Sequence, residues 1–120
     1  MGEIKSFRDL VVWQKAIALV KEIYRLVKLL PKEELYALSD QMRRAVVSVP
    51  SNIAEGYGRN SKKDYGRFLS ISLGSVYELQ TQLIVCCELE FLRSDDVRSA
   101  MDLITEISKM LNALIRKVAC

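Results

Sequence analysis

Histidine is absent from this 120-residue chain. That removes the side chain most often used as a general base near neutral pH and as a metal ligand. A di-metal carboxylate bundle, which needs Glu-x-x-His on two of its helices, cannot be built. Cysteine is scarce and odd in number: the adjacent pair Cys86 and Cys87, and Cys120. Without C-x-x-C spacing, these speak against a disulfide framework or a zinc site. Cys86 and Cys87 fall in an apolar run and read as core thiols suited to a reducing compartment. Two prolines and five glycines leave little of the chain for loops. No apolar run reaches the length of a membrane span, and no basic-then-apolar leader opens the sequence, so a cytoplasmic protein is expected. Met1 to Ser6 fit the short myristoylation pattern, which chance matches often. Phosphate-cradling glycine loops and nucleophile elbows are missing too. The expectation is a non-catalytic protein with no cofactor and no metal.

What is present is ordinary for one globular domain over residues 1–120: half the residues are hydrophobic and 28% are charged. The net charge of +3 is unevenly spread, with +5 in residues 1–67 and −2 in residues 68–120. A basic half can face phosphate, although exposed helix faces are often mildly basic.

The stretch Ser39–Arg59 organises the rest. Met42, Ala45, Val46, Val49 and Ile53 recur at spacings of three and four, the apolar face of a helix. Gln41, Arg44, Ser48, Asn52, Glu55 and Arg59 form a polar stripe beside it. Pro50 interrupts neither phase, so the pattern predicts one kinked helix. Gly56 and Gly58 are predicted to supply a left-handed residue at its end.

Before it, Asp9 is the expected N-cap of a helix of about twenty residues closed by Pro31. Its core stripe is expected to be Leu10, Trp13, Ile17, Val20, Tyr24 and Val27, widened by Ala16, Ile23 and Leu30. A third helix is predicted from about Lys62 to Leu89, capped by Ser61, with Tyr65, Leu69, Val76, Leu79, Leu83 and Cys86 inward. It is apolar on several sides, so a second face is expected to meet another subunit. Gly66, Ser70 and Gly74 form a small-residue groove on it, where close packing is expected to offset the helical cost of Gly74. A fourth helix opens at Ser94 with Asp95 and Asp96 in its first turn, and Arg116 and Lys117 close it. Val97, Met101, Ile104, Ile107, Leu111, Leu114 and Val118 are its stripe. Four long amphipathic helices with short connectors predict an all-α, antiparallel, up-and-down four-helix bundle.

Two groups of charges could do more than solvate. Glu78 is expected to pair with Arg43 or Arg44 across the second and third helices, which would fix register or leave the arginines to grip phosphate. Glu55 and Arg59 form an i, i+4 pair. In Tyr57–Phe68, Arg59, Lys62, Lys63 and Arg67 interleave with Tyr57, Tyr65 and Phe68 around a helix–helix turn. Cations there could meet phosphate and aromatic faces could stack on bases, or the aromatics could cap the bundle while the lysines keep the turn soluble. Arg59, Lys62, Lys63 and Arg67 are the first candidates for nucleic acid, with Arg43 and Arg44 next.

Several motifs carry a resemblance: Phe7-x-x-Leu10-x-Val12-Trp13-x-x-Ala16, Gln41-x-Arg43-Arg44-Ala45, Ser48-x-Pro50-x-Asn52-Ile53-Ala54-Glu55-Gly56, and Gly74-Ser75-x-x-Glu78-Leu79. Together they resemble the four-helix-bundle family of 23S ribosomal RNA intervening-sequence proteins. Asn52, Glu55, Gly56, Gly74 and Glu78 belong to the resembling motifs. Glu90 departs from the pattern, which has a glycine ending the third helix. The resemblance implies a bacterial bundle assembling as a ring, commonly a homopentamer, with a reading frame often inside ribosomal RNA intervening sequences. It also implies kinship with the accessory protein of diversity-generating retroelements, a similar pentameric bundle that binds nucleic acid and a reverse transcriptase. Two roles follow as expectations: an RNA-associated oligomer, or a scaffold recruiting a protein partner.

Overall fold

The computed structural model describes residues 2–119, so Met1 of the myristoylation pattern and the thiol of Cys120 lie outside the described residues. Within them the chain forms four helices and no strand. These are α1 (Val11–Val27), α2 (Leu38–Tyr57), α3 (Lys62–Glu88) and α4 (Ser94–Ala119). They pack in the cyclic order α1, α2, α3, α4 into a body of 43 × 27 × 20 Å. Neighbours run antiparallel. Ser48 meets Ser75 while Met42 meets Cys86 between α2 and α3, and Lys15 meets Glu106 while Arg25 meets Asp96 between α1 and α4.

The core is a column of aliphatic side chains drawn from all four helices, among them Leu19, Ile23, Met42, Ile53, Leu79 and Ile107, all fully buried. Their burial is the main term holding the helices together, each contributing roughly 1.5–3 kcal/mol. On α2, α3 and α4 the predicted stripes face this core, with Tyr65, Met101, Leu114 and Val118 only partly buried. On α1 the phase differs. Val12, Ala16, Leu19, Ile23 and Leu26 point inward, while Trp13, Ile17 and Val20 are half-buried and Tyr24 is exposed. Two overlapping apolar stripes run along this helix about 100° apart, and the one carrying the smaller aliphatics fits between the neighbours.

The ends of the helices also differ from expectation in instructive ways. Asp9 does not cap α1. It closes a capping box with Ser6 on a preceding 3-10 turn, Phe7–Asp9, its carboxylate accepting the amides of Lys5 and Ser6. Ser61 caps α3 as predicted, its hydroxyl accepting the Asp64 amide at 3.1 Å. Neither Gly56 nor Gly58 adopts a left-handed backbone. The residue that does is Glu90, at φ 63°. The Phe91 amide donates to the Cys86 carbonyl and the Glu90 amide to that of Cys87. These are the two bonds of a Schellman motif, so the place where glycine was missed in sequence is where the backbone calls for one.

Helix α2 continues through Pro50, which is buried. The proline removes one amide donor from the helix interior. Next to it, the fully buried Ser72 hydroxyl of α3 donates to the Val49 carbonyl at 2.9 Å. One turn away the hydroxyls of Ser48 and Ser75 meet at 2.9 Å, and the Asn52 amide donates to Ser48 Oγ at 2.9 Å. A third of the predicted polar stripe, Ser48 and Asn52, is therefore part of an α2–α3 seam. Gln41, Arg44, Glu55 and Arg59, its remaining members, are exposed.

Candidate nucleic-acid interface

The turn between α2 and α3 is tight because Gly56 lets the helices touch. A Cβ there would lie 2.8 Å from Phe68 Cβ and 3.1 Å from the Tyr65 ring. Phe68 is thereby pressed into the bundle end, and Tyr57 packs edge-on against Tyr65 with ring centroids 6.2 Å apart. Burial beside Tyr57 raises the Tyr65 phenol above its ordinary pKa.

Arg59 and Arg67 both stack on Phe68, their guanidinium carbons 4.7 and 4.6 Å from its ring centroid. Such contacts hold a cation in place at about 0.5–1 kcal/mol each on an exposed surface. Carboxylates orient the same groups: Glu55 lies 3.2 Å from Arg59, the i, i+4 pair legible in sequence, and Asp64 lies 3.9 Å from Arg67. Both pairs are exposed and contribute little stability. The Phe68 ring is consequently covered from within, and Tyr57 and Tyr65 are engaged edge-on with each other. What the turn chiefly presents to a ligand is charge.

Lys62 and Lys63 are exposed and make no ion pair among the described residues. They rim a cleft of about 500 Å³ with Gly66 and Arg67 on one side and Ile115 and Val118 on the other. The antiparallel fold thus brings the start of α3 beside the end of α4, which carries Arg116 and Lys117. In sequence those two cations complement only the helix dipole. Bundle topology was the signal that joins them to this end. From residue 55 to residue 67 the balance is +2, and Arg116 and Lys117 raise it to +4.

Arg43 and Arg44 are not part of this cluster. They sit near the start of α2, about 20 Å along the helix from Arg59 at 1.5 Å per residue. Nor does either pair with Glu78. Arg44 reaches Asp40 one turn back on its own helix at 3.1 Å, and Arg43 donates to the Leu35 carbonyl at 3.5 Å. Glu78 accepts the Gln82 amide at 3.3 Å. The local partner wins because an i, i+4 pair needs no long reach across the seam. A Cβ at Gly66 would make ordinary contact with Val118 at 3.5 Å, whereas one at Gly74 would meet nothing within 4 Å. Gly74 is therefore not a close-packing site within the chain.

Among the described residues no three His, Cys, Asp or Glu side chains gather as metal ligands, and no helix is long and apolar enough to cross a membrane. A family model described as 23S rRNA-intervening sequence protein matches residues 8–113. The chain is similar to a solved structure from Bacteroides thetaiotaomicron, a protein of unknown function from the S23 ribosomal protein family. The two are 27% identical with a TM-score of 0.81, over 88% of this chain and 98% of that one. No curated protein matches with significance.

Proposed function

The chain belongs to the 23S rRNA-intervening sequence protein family, and from that premise we propose that it is a non-catalytic, self-assembling bundle that binds structured RNA. One observation carries the reading: four cations at the α2–α3 turn, two of them held on Phe68 and two unpaired among the described residues, share one end of the bundle with Arg116 and Lys117. Oriented cations on a covered Phe68 ring suit a phosphate backbone presented by a folded RNA, where neutralising each phosphate releases counterions. Arg59 and Arg67 fix the register on the backbone, and Lys62 and Lys63 supply adaptable charge. The protein acts in the bacterial cytoplasm as a homo-oligomeric ring, of five subunits if it follows the pattern its motifs resemble. The test is binding of structured RNA across a salt series. Affinity is expected to fall linearly with salt on logarithmic axes, and no binding at low salt refutes the reading.

A second reading rests on a different surface. Between α1 and α2 lies a groove lined by Phe7, Trp13, Ile17, Val20 and Val47 with no charged side chain. Such a groove suits an apolar helix of a partner protein, for instance an enzyme such as a reverse transcriptase that the ring recruits. Co-purification of one stoichiometric protein, unaffected by nuclease, would favour this role over RNA binding.

A further inference from the structure

Among the described residues, charges on two different faces of the chain lack a full partner. Glu78, on the outer side of α3, accepts only the Gln82 amide. Two turns to either side of it stand Ile71 and Val85, 44% and 38% exposed, and between Ile71 and Glu78 the open backbone of Gly74. On the α1–α2 side, Arg43 has only the 3.5 Å contact to a carbonyl, beside Arg44. They line a cleft with Tyr24, Val47 and Asp40, the carboxylate that Arg44 reaches, and Val47 also lines the uncharged groove that runs on past Trp13 and Pro50. One groove thus has a net positive charge at one end, two arginines against Asp40, and is apolar at the other, while Glu78 stands between the exposed aliphatics Ile71 and Val85 on the helix face.

The spacings agree. From Arg43 to Pro50 along α2 is seven residues, about 10 Å, and Glu78 is seven residues from Ile71 and from Val85. Whichever way a helix lies in the groove, a carboxylate at the arginines sets a branched aliphatic over Val47 and Pro50. We propose that a second copy of this chain seats the outer face of its α3 in the α1–α2 groove, with Glu78 against Arg43 and Arg44. This inference rests on the self-assembly part of the reading above and names the surfaces that perform it. The two faces lie on different helices, so each chain offers both at once. The contact is heterologous and propagates head to tail until it closes into a ring. The sequence motif that pairs these residues is then satisfied between chains, where Gly74 also finds the neighbour that it lacks within one.

Light scattering on the full chain at micromolar concentration tests this. The wild type is expected to be oligomeric, Glu78→Arg monomeric with unchanged helical circular dichroism, and Arg43→Glu/Arg44→Glu/Glu78→Arg oligomeric again. A monomeric wild type, including one that instead captures a foreign helical protein in the groove, overturns the proposal. So does Glu78→Arg at wild-type mass, or a triple variant that stays monomeric. RNA binding is read separately: monomeric Glu78→Arg keeps Lys62 and Lys63 and is expected to retain a salt-dependent affinity per chain. Its loss would strike the RNA reading and not the interface.

Discussion

Gly56 lies so close under Phe68 that a Cβ on the glycine would stand 2.8 Å from the Cβ of the phenylalanine. The helix ends are joined at that point, and the ring held there carries Arg59 and Arg67 on its surface. Packing and charge are therefore coupled at the turn. Gly56→Ala is expected to push the α3 end outward and cost about 1–3 kcal/mol, the usual range for overpacking. A lowered urea midpoint together with weaker RNA binding would bear this out; an unchanged midpoint would show that α3 yields freely.

The cationic end has a definite outline. Lys62→Ala/Lys63→Ala is expected to reduce the slope of log affinity against log salt by roughly 1.5, two phosphate contacts' worth. Arg116→Ala/Lys117→Ala is expected to reduce it too, though these residues are some fifty positions away in sequence. Lys28→Ala/Lys32→Ala, beyond the other end of α1, is the control and leaves the slope unchanged.

Glu90 sits in a left-handed conformation at φ 63° in the Schellman turn after α3. That conformation costs a non-glycine residue roughly 1–2 kcal/mol, part of which glycine gives back through its freer unfolded chain. Glu90→Gly is expected to stabilise the fold by about 0.5–1 kcal/mol, read as a higher melting temperature. A lower one would mean that the Glu90 side chain contributes a contact of its own.

Ser72 and the Val49 carbonyl, beside Pro50, are bonded in a fully buried seam. Ser72→Ala leaves that carbonyl without its cross-helix donor and is expected to cost about 1–2 kcal/mol in chemical denaturation. Ser70→Ala, on the exposed side of the same helix, is expected to change nothing measurable.

Burial pushes the Cys86 thiol up to about 11 from an ordinary value of 9.0, with smaller contributions from Cys87 and Glu34. A raised native pKa favours the neutral thiol in the fold. Its contribution is fully present below pH 9 and is lost as pH rises towards 11. In native protein at pH 8, alkylation mapped by mass spectrometry is expected to mark the half-buried Cys87 well before Cys86. Denaturant is expected to abolish the difference.

Helix number and most boundaries were legible because propensity, capping residues and periodicity agree: Ser61 before α3 and Ser94 opening α4 are read directly from the chain. The absent glycine at position 90 was legible only through the family resemblance, whose pattern ends the third helix in glycine, and the backbone there takes the left-handed conformation that glycine suits. Less legible was the turn site. Its cations and aromatics were visible as a cluster, but not that Phe68 would be the bed for two arginines, because that depends on how closely Gly56 lets α3 approach.

By itself the sequence determined four amphipathic helices, their antiparallel order, and a basic turn between the second and third. Tertiary structure decided which of two apolar stripes on α1 turns inward, that Arg44 takes Asp40 in place of Glu78, and that Arg116 and Lys117 join the basic end. The physical reason is the same in each case. Periodicity fixes the angle between residues on one helix, but which side is buried and which charge lies within reach are set by the neighbouring helices.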